Sequence, residues 1–425
     1  MIFGMFSNIF QILQAYSLFS NPVWSWVCNG DICTKVDANS STSAVQLSTC
    51  KLTCGKYGSL WPKPTGAIQL GNQTLRFLPK VLRKPTIYCK SSACEDETGQ
   101  IKNAITSSIN KAFSTFEKNI KNVYDKQRVN KLCNESLLTQ IKTDLEIRHD
   151  DLKQTLTTNE SYQLSITTSK EDQGKKDLRV KIRAESFFGV RHALETVSQL
   201  TSYSEESDTM QIVSEVNISD APIYPYRGLM LDTSRNFFSV KSLMDTVRAM
   251  SYNKMNTLHW HITDTPSFPI EIMSLPNMTK YGAYSDRQIY TKADVKRIIE
   301  YSRLHGVRVL PEFDQPAHCG NGWQWGKEAG LGELAVCVNK DPWEEFCVEP
   351  PCGQLNPAND KLYPILEKIY KEYLNMFDSD LFHAGGDEVK TYFVKNVLNL
   401  LLLINVNNET NLQVLLIYFD RDLPG

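Results

Sequence analysis

From residue 221 onward, short apolar runs alternate with helical patterns, and this alternation constrains the fold more than any other feature of the sequence. The strand-like runs are 226–232, 256–264, 307–314 and 381–388. The helical patterns between them are 239–252, 292–305 and 359–377. Such an alternation predicts a parallel sheet with helices on both faces, as in a (β/α)8 barrel or another open α/β sheet.

Polar side chains that can do chemistry end or follow the predicted strands. They are Asp232, Arg235, Asp264, Glu312, Asp314, Asp387 and Glu388. The carboxyl ends of parallel strands meet at one edge of a sheet, and functional groups gathered there are typical of an active site. The alternation stops near residue 389. We therefore predict an α/β fold that contains only about the first half of a (β/α)8 TIM barrel.

The part of the chain before residue 221 follows a different plan. Strand-like runs occur at 74–77, 161–167 and 177–184, and helical patterns at 101–126 and 189–201. Strands followed by helices favour an α+β domain. The predicted organisation is a signal peptide or anchor at 1–20, a cysteine-rich segment at 21–66, an α+β domain at 67–220, a catalytic part at 221–389 and a divergent tail at 390–425.

The charge balance restricts the ligands that the chain can bind. Lys and Arg number 46 against 48 Asp and Glu, which gives a net charge of -2, and 41% of the residues are hydrophobic. The sequence therefore lacks the basic excess that nucleic-acid binding usually needs. We predict a globular protein with a neutral or weakly charged ligand, and no nucleic-acid partner.

Cysteines and glycosylation sequons indicate an oxidising compartment. Most of the 11 cysteines lie in short-range pairs, namely Cys28 and Cys33, Cys50 and Cys54, Cys89 and Cys94, and Cys347 and Cys352. These cysteines do not have the spacing of a zinc finger, so they predict disulfides. The sequence leaves the connectivity of the disulfides open. The odd count predicts one unpaired thiol, which we assign to Cys133. Sequons occur at Asn39, Asn72, Asn134, Asn159, Asn217, Asn277 and Asn408.

Residues 1–20 are apolar and uncharged. They resemble a signal peptide that lacks a basic start. A membrane anchor is the alternative, since a span needs about 20 largely apolar residues. We expect a secreted or lysosomal, luminal protein, or else a membrane-anchored one with a luminal or extracellular catalytic domain.

The GGDE sequence of the last predicted strand is the main candidate for catalysis. Neighbouring residues on a regular strand face opposite sides. Gly385 and Gly386 allow the strand to break, so that Asp387 and Glu388 can reach one site. Paired carboxylates at a sheet edge suit glycoside hydrolysis. A pair of solvated turn acids is the alternative.

Other residues fit a sugar site. The guanidinium of Arg235 offers a fixed set of donors for neighbouring hydroxyls. Asp264 and His318 follow the second and third predicted strands. Trp323 and Trp325 lie in the next loop, and stacking on sugar rings would suit their aromatic faces. Packing of that loop is the alternative for the two tryptophans.

Four motifs together resemble one known family. They are YRGLMLDTSR at 226–235, NTLHWHITD at 256–264, VLPEFDQPAH at 309–318 and HAGGDEV at 383–389. Their order and spacing resemble those of family 20 glycoside hydrolases, the β-N-acetylhexosaminidases. The resemblance covers roughly residues 60–389, and the cysteine-rich start is similar to the invertebrate branch that acts on chitin oligosaccharides or N-glycans.

The resemblance implies a retaining, substrate-assisted mechanism with an oxazolinium intermediate. Glu388 would be the general acid/base, and Asp387 would hold the acetamido N–H. Arg235 would bind hydroxyls of the terminal sugar, while Asp264 and His318 would orient the acid pair. Neither a cofactor nor a metal is implied. The domain before the barrel would be the family's zincin-like domain, although no H-E-x-x-H occurs in this sequence.

The resemblance also implies partners and leaves alternatives. The substrates would be oligosaccharides or glycoconjugates that end in N-acetylglucosamine or N-acetylgalactosamine, and the full-length family forms homodimers. The family's later tryptophans and tyrosine have no match in 390–425, so we expect a chain truncated after the GGDE motif. One alternative is a catalytically silent sugar-binding homologue. A metal-dependent hydrolase using His259, His261, His318 and His383 is the other.

Overall fold

The structure is a computed structural model that describes residues 23–38, 41–95, 98–128, 137–169 and 176–389 and the backbone of a strand at 413–415. It divides into two compact units, one formed by Met1–Asp150 and Asn159–Ile223 and the other by Asp151–Thr158 and Tyr224–Gly425. The predicted signal segment and Cys133 lie outside the described residues, as does most of 390–425. The boundaries placed at 66 and 389 stay predictions.

The first unit begins with a small disulfide-linked segment. It contains the hairpin of β1 (Trp24–Asn29) and β2 (Ile32–Asp37), followed by helix α1 (Leu47–Thr53). Two disulfides, Cys28–Cys54 and Cys33–Cys50, join the hairpin to the helix and its end. These two disulfides are nested, with Cys33–Cys50 inside Cys28–Cys54, so neither joins the two members of a short-range pair. Cys89–Cys94 and Cys347–Cys352 do join the members of such pairs.

Two of the described cysteines are unpaired, so the prediction that the chain has a single free thiol is wrong, while the assignment of a free thiol to Cys133 stays a prediction. Cys319 is buried and Cys337 is partly buried, and both are free. Counting cysteines could not show this, because the packing around each thiol decides whether it can meet a partner.

The rest of the first unit is an α+β arrangement. Its strands are β3 (Ile68–Leu70), β4 (Thr74–Phe77), β5 (Thr86–Cys89), β6 (Leu138–Ile147), β7 (Tyr162–Thr168), β8 (Lys176–Ala184), β9 (Thr201–Ser204), β10 (Thr209–Val213) and β11 (Val216–Asp220). The helices are α2 (Gln100–Gln127) and α3 (Phe187–Gln199). A six-stranded sheet has the order β3-β11-β7-β8-β6-β5, and a three-stranded sheet has the order β4-β10-β9. Helix α3 packs against α2 and the larger sheet and is buried along most of its length.

The second unit is built on a parallel sheet. Its strands are β12 (Gly228–Asp232), β13 (Thr257–Thr263), β14 (Arg308–Phe313), β15 (Ala335–Val336), β16 (Gln354–Leu355), β17 (Leu381–His383) and β18 (Gln413–Leu415). The helices are α4 (Val240–Tyr252), α5 (Asn277–Gly282), α6 (Lys292–Leu304), α7 (Trp325–Glu328) and α8 (Leu362–Met376). The order β12-β13-β14-β17-β18 is parallel throughout, and β15 and β16 form a separate small pair.

The pattern of burial explains this sheet. All six residues of β14 are buried, as expected for a central parallel strand that is covered on both faces. Helices α4, α6 and α8 each turn an apolar stripe toward the core, which includes Trp260, Tyr290 and Tyr373. The four predicted strands are present, although the last one ends at His383. The described strands form an open sheet, so the closed barrel stays a prediction.

Among the described residues, no helix is both long and apolar enough to cross a membrane. Four sequon asparagines are described: Asn72, Asn159 and Asn217 are exposed, and Asn277 is partly buried. Their glycosylation stays a prediction.

Candidate active site

The polar residues predicted at the strand ends come together at one edge of the second unit's sheet. Parallel pairing aligns β12 with β13 and β13 with β14. The carboxyl ends of these three strands therefore lie side by side. Asp264 directly follows β13, and Asp314 directly follows β14. This edge is formed by the carboxyl ends of the strands, where α/β proteins carry their sites.

Arg235 is held by three carboxylates. Its Nη1 lies 2.8 Å from Asp232 Oδ2 and 2.5 Å from Asp264 Oδ2. Its Nη2 lies 2.9 Å from Glu349 Oε1. Asp232 also accepts hydrogen bonds from the backbone N–H groups of Ser234 and Arg235, which fixes the turn after β12. The guanidinium is therefore oriented by the fold before any ligand binds.

Asp264 is the buried centre of the site. Its side chain is 1% exposed, and its two oxygens face different histidines. Oδ1 lies 3.2 Å from His318 Nδ1, and Oδ2 lies 2.9 Å from His261 Nε2. Burial would raise the pKa of Asp264, but the hydrogen bonds from His261 and His318 and the charge of Arg235 hold it well below its usual range.

The two histidines carry the matching positive charge. Burial alone would lower their pKa values, but hydrogen bonds to carboxylates more than offset that effect. The pKa of His261 rises to about 10, through Asp264 and Glu312, and that of His318 rises to about 9, through Asp264. The site therefore contains buried, charged imidazole–carboxylate pairs.

His318 links Asp264 to Glu388. The Nε2 atom of His318 is buried and has no hydrogen-bond partner among the described residues, and Glu388 Oε2 lies 3.5 Å from it. Burial raises the pKa of Glu388, while the positive charge of His318 lowers it and the negative charge of Glu349 raises it further. A carboxyl group with a raised pKa can keep a proton that it later donates.

The glycines before Asp387 and Glu388 end β17 and turn the chain. Gly385 has φ +70°, Gly386 has φ +107° and Glu388 has φ +53°, so the backbone here is left-handed. A Cβ atom on Gly385 would lie 2.0 Å from Asp314 Oδ1. Only glycine fits that close approach.

Both acids of the GGDE sequence face His318. An oxygen of Asp387 lies within 4.8 Å of ligand atoms of Asp314 and His318, and an oxygen of Glu388 lies within 4.8 Å of His318 and Glu349. Asp387 is exposed and Glu388 is partly buried. The turn therefore brings two neighbouring carboxylates to one side, as the sequence predicted for a broken strand.

Asp314 stabilises the turn through a hydrogen bond to its backbone. Its Oδ1 accepts a hydrogen bond of 2.9 Å from the N–H of Gly386. Burial raises the pKa of Asp314 to about 6, although the charge of His318 opposes the rise. Asp314 thus contacts the backbone that carries the acid pair.

From the sequence alone, no role in the candidate site was assigned to three residues that the structure places there, namely Glu349, His261 and Glu312. Glu349 was not noticed, although its position between Cys347 and Cys352 marks a constrained loop that could reach another element. In the sequence analysis, Glu312 appeared only as a polar residue at a strand end, and His261 only as a ligand in the metal-dependent alternative. Glu312 Oε2 lies 3.2 Å from His261 Nδ1 and 2.5 Å from His259 Nε2.

Trp323 and Trp325 are not sugar-stacking residues in this structure, and that interpretation is wrong. Their exposed fractions are 2% and 6%. Trp323 stacks on Phe313, and the indole N–H of Trp325 faces the sulfur of Met278. The loop folds back on the core because burying the large indole rings is more favourable than leaving them in water.

Several groups of side chains in the described residues have ligand atoms close enough to hold a cation. One group is His259, Glu312 and His383. The others in this unit combine His261, Asp264 and Asp314, then Asp314, His318 and Asp387, and finally His318, Glu349 and Glu388. The last three groups lie in the site described above, which we call the acid-rich site. Its members are Arg235, His261, Asp264, Asp314, His318, Glu349, Asp387 and Glu388.

A parallel sheet with acids, an arginine and histidines at the carboxyl ends of its strands is typical of α/β enzymes. The family model "Glycosyl hydrolase family 20, catalytic domain" matches residues 224–423, and the model "beta-acetyl hexosaminidase like" matches residues 60–200. The chain belongs to family 20 of the glycoside hydrolases.

Curated relatives agree with the family. A chitooligosaccharidolytic β-N-acetylglucosaminidase of Bombyx mori is 41% identical over 87% of this chain and 58% of that protein. The protein with the same description from Ostrinia furnacalis is 40% identical over 91% of this chain and 61% of that protein. The chain thus spans about three-fifths of the length of these relatives.

Solved structures support the fold. The structure of a Flavobacterium johnsoniae chitobiase matches with a TM-score of 0.57 and 23% identity, over 84% of this chain and 49% of that one. A family 20 exo-β-N-acetylglucosaminidase from Vibrio harveyi matches with a TM-score of 0.56 and 20% identity, over 89% of this chain and 56% of that one. At these identities the likeness concerns the fold alone.

Proposed function

We propose that this chain is a β-N-acetylhexosaminidase that removes terminal non-reducing N-acetylhexosamine residues by a retaining, substrate-assisted mechanism. The observation that carries the proposal is the sequence of contacts from Asp264 through His318 to Glu388, with Asp387 beside it. The Bombyx and Ostrinia relatives named as β-N-acetylglucosaminidases support the same activity.

The acid pair would divide the chemistry. Glu388, whose pKa is raised by burial, would protonate the glycosidic oxygen and then activate water. Asp387 would accept a hydrogen bond from the acetamido N–H, so that the acetamido oxygen is held against the anomeric carbon. The substrate then supplies its own nucleophile and forms an oxazolinium ion.

Arg235 would bind the hydroxyls of the terminal sugar. Asp232 and Asp264 already fix its Nη1, so the guanidinium loses little freedom when a ligand arrives. The contact between its Nη2 and Glu349 must open or be shared, because a sugar hydroxyl would use the same donor. Asp264 and His318 act through their neighbours and position Arg235 and Glu388.

The substrate class follows from this arrangement. A site with two carboxylates and one arginine suits a neutral sugar with an amide arm, as in chitin oligosaccharides or glycans that end in N-acetylglucosamine or N-acetylgalactosamine. We include a homodimer, as the family resemblance implies, as part of the proposal. The Bombyx relative's description as chitooligosaccharidolytic favours chitin oligosaccharides.

The finer fold and the location also belong to the proposal. We infer that the five-stranded parallel sheet is part of a (β/α)8 barrel and that the first unit is the family's zincin-like domain without zinc. The disulfides Cys28–Cys54 and Cys33–Cys50 support a secreted or luminal protein. A membrane-anchored protein with a luminal or extracellular catalytic domain is the alternative.

A chromogenic β-N-acetylglucosaminide tests the proposal, together with a thiazoline mimic of the oxazolinium ion. We expect hydrolysis that the thiazoline blocks competitively. Hydrolysis that ignores the thiazoline would contradict the substrate-assisted route. Thiazoline binding in calorimetry without any hydrolysis would instead make the chain a silent sugar-binding homologue.

A further inference from the structure

A second cluster of side chains lies within the sheet beside the acid-rich site. It consists of His259 on β13, Glu312 on β14 and His383 on β17, three adjacent strands. His259 Nε2 lies 2.5 Å from Glu312 Oε2, and His383 Nδ1 lies 3.2 Å from Glu312 Oε1. The two imidazole rings are 4.7 Å apart between centroids. Two imidazole nitrogens therefore converge on opposite oxygens of one carboxylate.

Hydrogen bonding does not account for all of these contacts. His383 Nδ1 accepts a hydrogen bond of 3.2 Å from the N–H of Gly385, which requires a lone pair on that nitrogen. With that lone pair, Nδ1 cannot donate to Glu312 Oε1, so two acceptor atoms face each other at 3.2 Å. A cation could bind both atoms. The lone pair of His383 Nδ1 would then face the cation, and the 3.2 Å hydrogen bond from the N–H of Gly385 would be lost.

The number of imidazoles around Glu312 is also more than charge pairing needs. His261 Nδ1 lies 3.2 Å from Glu312 Oε2, so three imidazoles surround this one carboxylate. In the first unit, by comparison, His192 Nε2 lies 2.6 Å from Glu160 Oε2, a contact between one imidazole and one carboxylate. Because His261 already pairs with Glu312, His259 and His383 remain as a pair of nitrogen ligands beside it.

We propose that His259 Nε2, His383 Nδ1 and the carboxylate of Glu312 form a binding site for one divalent metal ion of the zinc class. Two imidazoles and one carboxylate are ligands that zinc prefers, with a fourth position left for water. The three ligand atoms lie within 4.8 Å of one another. Ligands at about 2.0–2.1 Å from zinc can be up to about 4 Å apart, so small side-chain shifts complete the site.

The site is accessible to an ion from solution. The exposed fractions of the side chains of His259 and His383 are 15% and 12%, while that of Glu312 is 7%. Solvent therefore reaches both histidines, and the carboxylate is held beneath them. A buried acid between partly exposed imidazoles is an arrangement that an ion can enter without unfolding of the sheet.

The metal would inhibit hydrolysis rather than support it, an effect that rests on the proposed function. Glu312 contacts His261, which in turn contacts Asp264 in the acid-rich site. An ion that binds Glu312 competes for the carboxylate that faces His261 and loosens the support of Asp264 and Arg235. We expect a chelator to leave hydrolysis unchanged and micromolar zinc to lower it.

Calorimetric titration with Zn²⁺ tests the site without any need for activity, using the full chain without a polyhistidine tag. We expect one ion per chain, and His259→Gln and His383→Gln should each weaken binding at least about tenfold. His149→Gln, on an imidazole whose side chain is 61% exposed, and His318→Gln are the controls and should bind like the wild type. A wild-type chain without tight zinc binding, or a His383→Gln variant with unchanged affinity, would overturn the proposal.

X-ray absorption at the zinc edge covers the case in which a variant folds poorly, because it uses the zinc-loaded wild type. We expect a first shell of two imidazole nitrogens and oxygens. A shell with sulfur would assign the zinc to free thiols such as Cys319 or Cys337 and overturn the site, as would a shell with fewer than two imidazoles. Hydrolysis, whether present or absent, affects neither measurement, so the proposed function and the metal site can fail separately.

Discussion

His318 Nε2 lies 3.5 Å from Glu388 Oε2, while the other ring nitrogen of His318 contacts the buried carboxylate of Asp264. The imidazole therefore has an anion on each side. Asp264 stabilises the charged imidazole, and the charged imidazole then limits how far burial can raise the pKa of Glu388. A modest rotation of the Glu388 side chain would turn the 3.5 Å contact into a hydrogen bond.

Glu388→Gln should remove turnover and keep sugar binding. General acid catalysis contributes about 10²- to 10⁴-fold to a rate, and a glutamine has the same shape but cannot donate a carboxyl proton. The measurement is kcat on a chromogenic β-N-acetylglucosaminide, beside the affinity for the thiazoline mimic. Glu300→Gln, on the exposed face of α6, is the matched control. An unchanged kcat in the Glu388 variant would refute its acid role.

His318→Gln should move the basic limb of the pH profile of kcat/KM to higher pH. The positive charge of His318 lowers the pKa of Glu388, so a neutral glutamine lets that pKa rise further. An acid with a higher pKa stays protonated to a higher pH. The profile is measured on the same chromogenic substrate, and the absolute rate falls as well. A basic limb that stays in place or moves to lower pH contradicts the role assigned to His318.

Asp264→Asn should destabilise the folded chain. The side chain is 1% exposed and faces His261, His318 and Arg235, so its loss removes the buried carboxylate that these three positively charged groups share. Removing one member of a buried pair costs about 3–5 kcal/mol in the free energy of unfolding. The measurement is urea unfolding. Asp245→Asn, on an exposed ion pair of α4, is the control and should change the midpoint little.

The Asp264→Asn variant also tests how the free energy of unfolding depends on pH. The folded pKa of Asp264 is lowered, so its contribution is present above its unfolded value of about 3.9 and is lost as pH falls below it. The folded pKa of His318 is raised to about 9, so its contribution is full below about 6.5 and is lost as pH rises through 9. The stability difference between wild type and Asp264→Asn should therefore be largest between about pH 4 and 6.5. A difference that is flat from pH 3 to pH 10 would contradict this linkage.

The sequence predicted the regular elements of the second unit well because their periods are undisturbed. The predicted strand at 307–314 corresponds to Arg308–Phe313, and the predicted helix at 292–305 corresponds to Lys292–Leu304. Strand Leu138–Ile147 was missed. Its buried Asp144 is paired with Arg179 on the neighbouring strand, a contact that local sequence does not reveal.

The site was predictable in its residues but not in all of its contacts. Arg235, Asp264, His318, Asp387 and Glu388 could be named because each one follows a strand. The contact between Glu349 and Arg235 joins residues 114 positions apart, and it depends on how a disulfide-linked loop folds. The fate of Trp323 could not be predicted either, since an indole near a strand end can face a ligand or the core, and only the packing decides.

Gly385→Ala should disrupt the turn that carries the acid pair. An added Cβ would lie 2.0 Å from Asp314 Oδ1 and 2.4 Å from its Cα, and the backbone has φ +70°. Alanine at positive φ alone costs more than about 1 kcal/mol, and the clash adds to it because Asp314 is buried and cannot move freely. Both the free energy of unfolding and kcat should fall.

Gly330→Ala separates the clash from the backbone strain. Gly330 has φ +69°, and nothing lies within 4 Å of the Cβ that alanine would add there. This variant should show only the strain and should keep kcat, because Gly330 is an exposed residue after α7 and the added Cβ would contact nothing. If both variants lost the same stability and the same activity, the close approach of Gly385 to Asp314 would not be what shapes the turn. A larger loss in Gly385→Ala means that the contact with Asp314 holds Asp387 and Glu388 on one side of the strand.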